Sequence, residues 1–357
     1  MGLQLFDAHR QWATRPADER FETLDEMYSH AVDRRARALD FIQNSALLKV
    51  EAVGEDIRVI PNEGFPVTPT HWGFQQLSTV AKAPAAFLRQ LPAKIVADTL
   101  NHQLPKVQWQ SVKLMTLADP EGERPLLQAV NGPGYGRIWS ADYIAAIKIL
   151  KDKKNLINPP DWSGRPSGLF DGDRSMFAFL IDGGSIVNAG RDARGRDDVL
   201  HQGAFFWNSE VGDCKIGYSH FMLEKVCGNL IVWGASEVKS IEFKHSMYAS
   251  ERFASELYPA IQAITTASPK PAEQAIRKAQ QFMLPADTKE FTAWGLKQGF
   301  SKGELKEGVA AAQQQAGDCR TLWHLVQGLT AYAQKFAWAD AQVDLSTRAG
   351  SLLDLVA

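Results

Sequence analysis

Two stretches of the chain combine aromatic rings with cations at spacings that suit a nucleic-acid strand. In GPGYGR (Gly132–Arg137), Tyr135 and Arg137 follow a glycine-rich kink. A tyrosine ring can stack on a base, and a guanidinium can hold a phosphate. The alternative is a bulged strand that carries a surface arginine. The run is not a phosphate loop, because it lacks Gly-x-x-x-x-Gly-Lys-Ser/Thr and Pro133 removes an amide donor. Further on, Lys215, Lys225, Lys239, Lys244, His245 and Arg252 are interleaved with Trp207, Tyr218, Phe221, Trp233, Phe243 and Tyr248. Cations neutralise a backbone, and any base can stack on a ring. Strand alternation offers the competing reading. In KSIEFKHS, Lys239, Ile241, Phe243 and His245 would share one face, which places the rings inside.

Other reactive side chains do not complete a set. His220, Glu224 and Cys227 stand at i, i+4 and i+7, so a helix would put three metal-ligand types on one face. They still need a ligand from elsewhere, and a core cysteine with a satisfied histidine is the simpler reading. Asp171, Asp173, Asp182, Glu210 and Asp213 have the chemistry of a metal-dependent nuclease, but DGD at Asp171–Asp173 reads as a turn. No Gly-x-Ser-x-Gly elbow occurs. The expectation is therefore no catalytic residue, no metal and no cofactor.

The elements that must position these residues follow from periodicity and punctuation. Arg20–Asn44 has helical spacing, with Arg34, Arg35 and Arg37 on its polar side, either solvated or facing phosphate. Leu47–Ile60 reads as a hairpin turning at Gly54. Thr70 caps a helix from His71, and Pro84 starts a second one. The pair resembles a helix-turn-helix, but the second helix offers only Arg89 and Gln90 for base reading. Lys106–Leu117 and Leu126–Trp139 read as strands, followed by a helix capped at Ser140 or Asp142. Ser175–Leu180 is a strand, with Asp182-Gly183-Gly184 as a hairpin turn. Phe221–Cys227 reads as a helix stopped by Gly228-Asn229. Beyond Tyr248 the texture is Ala, Gln, Lys and Leu rich, with breaks near Pro269, Pro285 and Gly299.

Composition bounds the rest. At 357 residues, the chain is long for one core. A hydrophobic share of 45% and a charged share of 22% are globular values. The net charge of −2 argues against a coat for duplex DNA but leaves room for a local basic groove. The ten tryptophans suit either core anchoring or stacking. Three cysteines without paired spacing point away from a disulfide framework or a zinc knuckle. The opening residues hold no signal-peptide run, and no window approaches the ~20 apolar residues of a membrane span. The expected setting is a reducing bacterial cytosol.

Several of these segments together resemble the phage/plasmid-like protein family, a domain of unknown function found in bacteriophages and mobile elements. FPVTPTHWGFQQLSTVAKAPAAFLRQLP is similar to its two-helix segment. LLQAVNGPGYGRIWSADYI is similar to its strand, Tyr-x-Arg and helix piece, with Tyr135, Arg137 and Ile138 at the matching positions. DRSMFAFLID is similar to its next strand. FFWNSEVGDCKIGYSHFMLEKVCGNLIVWG is similar to its Asn-Ser-Glu-Val-Gly and Val-Cys-x-Asn stretch. Lys244–Ser246 corresponds to its basic-His motif, and TLWHLVQGLTAYAQ is similar to its C-terminal helix. The chain departs from the family where Gly-Pro-Gly replaces Ser-Asp before Tyr135, and where Gly228-Asn229-Leu230 replaces Thr-Asn-Gly. The resemblance implies a setting in replication, recombination or host takeover, and no established reaction.

The sequence thus predicts an α+β protein: a twisted antiparallel sheet with helices packed on one side in residues 1–255, then a helical region in residues 256–357. The expected function is sequence-tolerant binding or annealing of single-stranded DNA by a cytoplasmic, possible homo-oligomer. Its contacts would be Arg34, Arg35, Arg37, Tyr135, Arg137, Lys215, Lys244, His245 and Arg252. Two alternatives stand beside it. One is a protein that inhibits or regulates a host or phage complex through a Trp-rich surface. The other is a metal-dependent phosphodiester-cleaving enzyme using some of Asp213, His220, Glu224 and His245. No membrane partner is expected.

Overall fold

A reciprocal capping box between Thr23 and Glu26 opens the first helix, α1 (Leu24–Arg37), just after the short strand β1 (Arg20–Phe21). The computed structural model describes residues 20–107, 111–119, 124–159, 168–191, 197–224, 230–231, 241–264, 270–333, 335, 345 and 348–356. Helix α1 stops at Arg37, short of the expected Asn44. Ala38–Gln43 instead forms β2. Tertiary pairing overrides local propensity here, because every residue of β2 is matched antiparallel to the later strand Val112–Leu117.

The next segment forms a small sheet covered by helices. β3 (Lys49–Val53) and β4 (Asp56–Ile60) make the expected hairpin. β5 (Thr68–Pro69) leads into α2 (His71–Val80), whose cap Thr70 accepts a hydrogen bond from the Gly73 amide. α3 (Ala85–Leu88) and α4 (Ala93–Gln103) follow. β6 (Val112–Leu117) and β7 (Leu126–Asn131) then complete a four-stranded sheet in the order β2-β6-β7-β5. It is mixed, because β5 runs parallel to β7. Leu77, Val96, Leu100, Leu114 and Leu127 form the core between this sheet and α2 and α4.

α5 (Ser140–Lys154) crosses to a second, larger sheet and ends at left-handed Asn155. β8 (Leu156–Ile157), β9 (Leu169–Asp171), β10 (Met176–Arg191), β11 (Asp197–Asn208), β12 (Ile216–Glu224), β13 (Leu230–Ile231) and β14 (Ile241–Phe243) follow in sequence. With β1 they make an eight-stranded sheet in the order β1-β9-β10-β11-β12-β13, with β8 beside β10 and β14 beside β12. Met176, Ala178, Leu180, Ala204, Phe206 and Tyr218 pack one face against Leu24, Met27, Tyr143 and Ile147 of α1 and α5. On the other face, Phe177, Phe179, Phe205 and Trp207 form a buried stack. Burial on both faces explains why these strands read as continuous apolar runs.

Three expectations change here. Asp182–Gly184 is not the hairpin turn. β10 runs through it with a register shift between Ile181 and Ile186, and Asp182 caps the Gly184 amide locally. Phe221–Glu224 is strand, paired to Leu200–Gly203, so the helical face of His220, Glu224 and Cys227 does not form. Cys227 itself lies outside the described residues, as do Lys225, Trp233 and Lys239. The single sheet is in fact two sheets and a hairpin.

The last part is helical. α6 (Ala249–Arg252), a π turn at Phe253–Leu257 and α7 (Tyr258–Ile264) form one run. This run spans the expected 255/256 boundary and packs on the first core through Ala249, Leu257 and Ile261. The change of core therefore comes after Ile264. α8 (Lys270–Gln281), α9 (Thr288–Lys297), α10 (Lys302–Ala316) and α11 (Leu322–Ala333) enclose their own core, which also takes in Val187 and Leu200 from the far end of β10 and β11. No helix among the described residues is long and apolar enough to cross a membrane.

Candidate functional site

Three segments far apart in sequence, α2, Asn131–Arg137 and Lys244–Ser246, meet where the two sheets adjoin. Their hub is the loop Asn208–Asp213 between β11 and β12. Trp72 Nε1, Gln76 Nε2 and Asn131 Nδ2 all donate to the Val211 carbonyl, at 3.1, 3.2 and 3.2 Å. The Val211 side chain is buried against Met115 and Ala129 of the four-stranded sheet. Ser209 Oγ donates to the Arg174 carbonyl and accepts from the Asp213 amide. Gly212 has φ +85, a conformation that favours glycine. The loop is clamped through both backbone and side chains.

Tyr135 and Arg137 point into this clamp. The Tyr135 hydroxyl donates to the Ser209 carbonyl at 3.0 Å, and burial pushes its pKa well above the usual tyrosine value. Its ring stacks on His245, with centroids 5.3 Å apart. Arg137 has a side chain only 4% exposed, held 2.6 Å from Asp40 of β2 and 3.9 Å from Glu210. Burial pulls its pKa down, and the two carboxylates oppose that shift. Glu210 also accepts from the Ser140 amide at 2.7 Å, so a carboxylate sits at the start of α5, where the helix dipole favours it. Trp139 lies 4.4 Å beneath the Arg137 guanidinium and 5.2 Å from that of Arg35. Neither Tyr135 nor Arg137 is presented to a strand. The sequence reading missed that two acids and a backbone carbonyl would claim them.

The basic-His motif closes the junction from outside. His245 Nδ1 pairs with the Gly136 carbonyl at 3.2 Å, and the Gly136 amide donates back to the His245 carbonyl. At Gly136, a Cβ would fall 2.0 Å from the Ser246 carbonyl, so only glycine permits this approach. His245 is buried, and desolvation lowers its pKa to about 4, so the ring is neutral near pH 7. Around that anchor, Lys244, Met247, Tyr248 and Ser250 are exposed, Met247 at 69% and Tyr248 at 58%. Ala249 is fully buried and fixes the far end of the turn.

The remaining expected contacts are scattered. Arg34 is buried, paired with Asp171 at 3.3 Å and bonded to the Gly172 carbonyl. Arg35 pairs with Asp142 at 2.8 Å, and Arg37 with Asp33 at 2.8 Å. Lys215 is half-buried just before β12. Arg252 lies on the surface and is held by Glu256 at 2.8 Å. Trp207 and Tyr218, expected as ring partners of the cations, are core. Asp171 and Asp213 are engaged with Arg34 and Arg174. Among the described residues, no group of three or more His, Cys, Asp or Glu is placed to hold a metal ion.

Sequence reasoning did not single out Trp72, Gln76, Asn131 or Arg174. Trp72 and Gln76 stand four apart on α2, and that i, i+4 pairing was the available signal. No family model, curated protein or solved structure matches the chain.

Proposed function

We propose that this protein binds single-stranded nucleic acid without strong sequence preference, through the turn Lys244–Arg252. One observation carries the reading. A backbone anchored by His245 and Ala249 leaves a lysine, a thioether and a phenol ring exposed within one five-residue stretch. Isolated exposed apolar residues are ordinary. A ring and a cation on a pre-fixed turn match the requirements of a strand, with a base stacking on Tyr248 and a phosphate neutralised by Lys244. Pre-fixing matters because no loop must be ordered on binding. The resemblance of the motif segments to proteins of phages and mobile elements supports a role in their DNA metabolism, with annealing by an oligomer as its fullest form.

The roles of the expected contacts divide under this reading. Lys244 touches the strand. Arg252 contributes only after it leaves Glu256. His245 holds the turn through Gly136 with Tyr135 stacked on its ring, and the Arg137 side chain belongs to the junction beneath. With one lysine assigned to the strand and a net charge of −2, the salt dependence should be shallow. The test is fluorescence anisotropy of labelled single-stranded and duplex DNA across a salt series. The single strand should bind better, with a log-log slope near −0.7 for each phosphate neutralised. Lys244→Ala should reduce that slope by about one such step. A wild-type protein that ignores the single strand at low salt overturns the reading.

A further inference from the structure

Next to the junction, and separate from the turn, an open cleft of about 570 Å³ lies between α2, the end of β7 and the Gly212 loop. Its volume falls within the ~300–1,000 Å³ typical of small-molecule sites. Trp72, Val80 and Val130 supply an apolar lining, and His71, Gln75 and Arg174 a polar one.

Hydrogen-bond accounting shows which groups remain for a ligand. Gln76 is committed, because its Oε1 accepts from the Val130 amide and its Nε2 donates to Asn131 and Val211. Gln75 Oε1 accepts from Arg89 at 3.2 Å, which leaves the NH2 of Gln75 as a donor. Arg174 uses Nη2 on Asp213 at 2.6 Å, and its guanidinium lies 4.6 Å from the Trp72 ring. Its Nε is buried without a hydrogen-bond partner. The guanidinium fork carries five N–H donors, so most of it remains to be satisfied. His71 is exposed, and its pKa is lowered, first by desolvation and then by the positive charge of Arg89 and Arg174. The uncommitted groups are thus mainly donors, with the Arg174 charge shared with Asp213 and Asp173 also acting on His71, beside the accessible part of an aromatic ring. Such a lining selects an acceptor-rich anion that also carries a planar group.

We propose that this cleft binds a nucleoside monophosphate, with the phosphate on Arg174 and Gln75 and the base along Trp72 and Val130. A free mononucleotide and the 5′-phosphorylated end of a strand share this chemistry. Calorimetric titration can separate them. The Tyr248→Ala protein removes the proposed strand-binding ring. It would be titrated with a nucleoside 5′-monophosphate, its nucleoside, inorganic phosphate, and one oligonucleotide with and without a 5′-phosphate. The monophosphate should bind at least about tenfold more tightly than the nucleoside or phosphate alone, a difference of about 1.4 kcal/mol. A free-nucleotide site prefers the monophosphate over both oligonucleotides, and a strand-end site prefers the 5′-phosphorylated oligonucleotide over all others.

Arg174→Ala should weaken binding about tenfold or more. Arg174→Lys should recover only part of the loss, since lysine cannot present the planar fork. Arg174 also braces Asp213, so Gln75→Glu provides a second variant at a half-buried position. Its added carboxylate should repel the phosphate while the thermal midpoint holds. A nucleoside monophosphate that competes with bound single strand for the protein would place it on the turn instead of in the cleft. No heat with any phosphate compound, equal affinity for the nucleoside or for inorganic phosphate, or undiminished binding in both Arg174→Ala and Gln75→Glu would each overturn the proposal.

Discussion

The buried half of the motif junction and the turn that caps it are built from the same residue types, but they use them in opposite ways. Tyr135, Arg137 and His245 are an aromatic, a cation and an imidazole drawn inward: a hydroxyl on a carbonyl, a guanidinium between two carboxylates, a ring on a ring. Tyr248 and Lys244 are an aromatic and a cation turned outward on a fixed backbone. The difference teaches that residue type alone does not mark a contact surface. What matters is whether an acid or a carbonyl elsewhere in the fold has already claimed the group. Packing accounts for where Tyr135, Arg137 and His245 sit, and under the proposed reading a ligand would meet only what that packing leaves displayed.

The comparison can be broken first at its buried side. Arg137→Ala leaves Asp40 and Glu210 without their cation, in a setting where Glu210 is almost wholly buried. Removing one partner of a buried pair costs about 3–5 kcal/mol, so chemical denaturation should show a loss of that order. The same variant should still bind a single strand at temperatures where it remains folded. A mild stability effect joined to lost binding would reverse the assignment.

Acid should act next on the same side. Burial lowers the His245 pKa to about 4 in the folded protein from the ordinary histidine value of 6.5, so the unfolded chain takes up its proton first. The contribution of the neutral ring is complete above pH 6.5 and is lost as pH falls from there toward 4. At about 1.4 kcal/mol per unit, the loss approaches roughly 3 kcal/mol. Thermal unfolding across that range should show the decline, and His245→Phe should flatten it. A pH response identical in His245→Phe and wild type would remove His245 from the account.

A smaller effect tests the seam between the two halves. Gly136→Ala places a methyl against the Ser246 carbonyl, so either the turn or the kink must shift. Overpacking of this kind costs typically about 1–3 kcal/mol. It should also weaken strand binding, because it displaces the backbone that holds Tyr248. On the exposed side, Tyr248→Ala should change stability by no more than about 0.5 kcal/mol, as surface substitutions do.

Much of the secondary structure was legible before the fold. The Thr70 cap and the Gly54 hairpin depend on neighbours a few residues away, and both stand where expected. Misreadings came where distant pairing decided the outcome. Ala38–Gln43 has helical spacing but is held as strand by β6. Phe221–Glu224 is extended because β11 supplies its hydrogen bonds. Asp182–Gly184 carries turn residues yet sits within a single 16-residue strand. For the site, the cluster of motif segments was visible as sequence. Their convergence was not, because Asp40, Glu210 and Arg137 lie in three different elements. The cleft was hidden for the same reason, since Trp72 and Arg174 are brought together only by the fold.

The central claim is that the displayed ring, and not the buried one, meets the strand. Single-strand titration of Tyr248→Ala beside Tyr135→Phe measures it most directly. Tyr135→Phe keeps the ring on His245 and removes only the hydroxyl bond to Ser209. The account predicts that Tyr248→Ala loses about 1–3 kcal/mol of binding, the usual value of a base–aromatic stack, while Tyr135→Phe binds as wild type does. Wild-type affinity in Tyr248→Ala, or a loss confined to Tyr135→Phe, would contradict it.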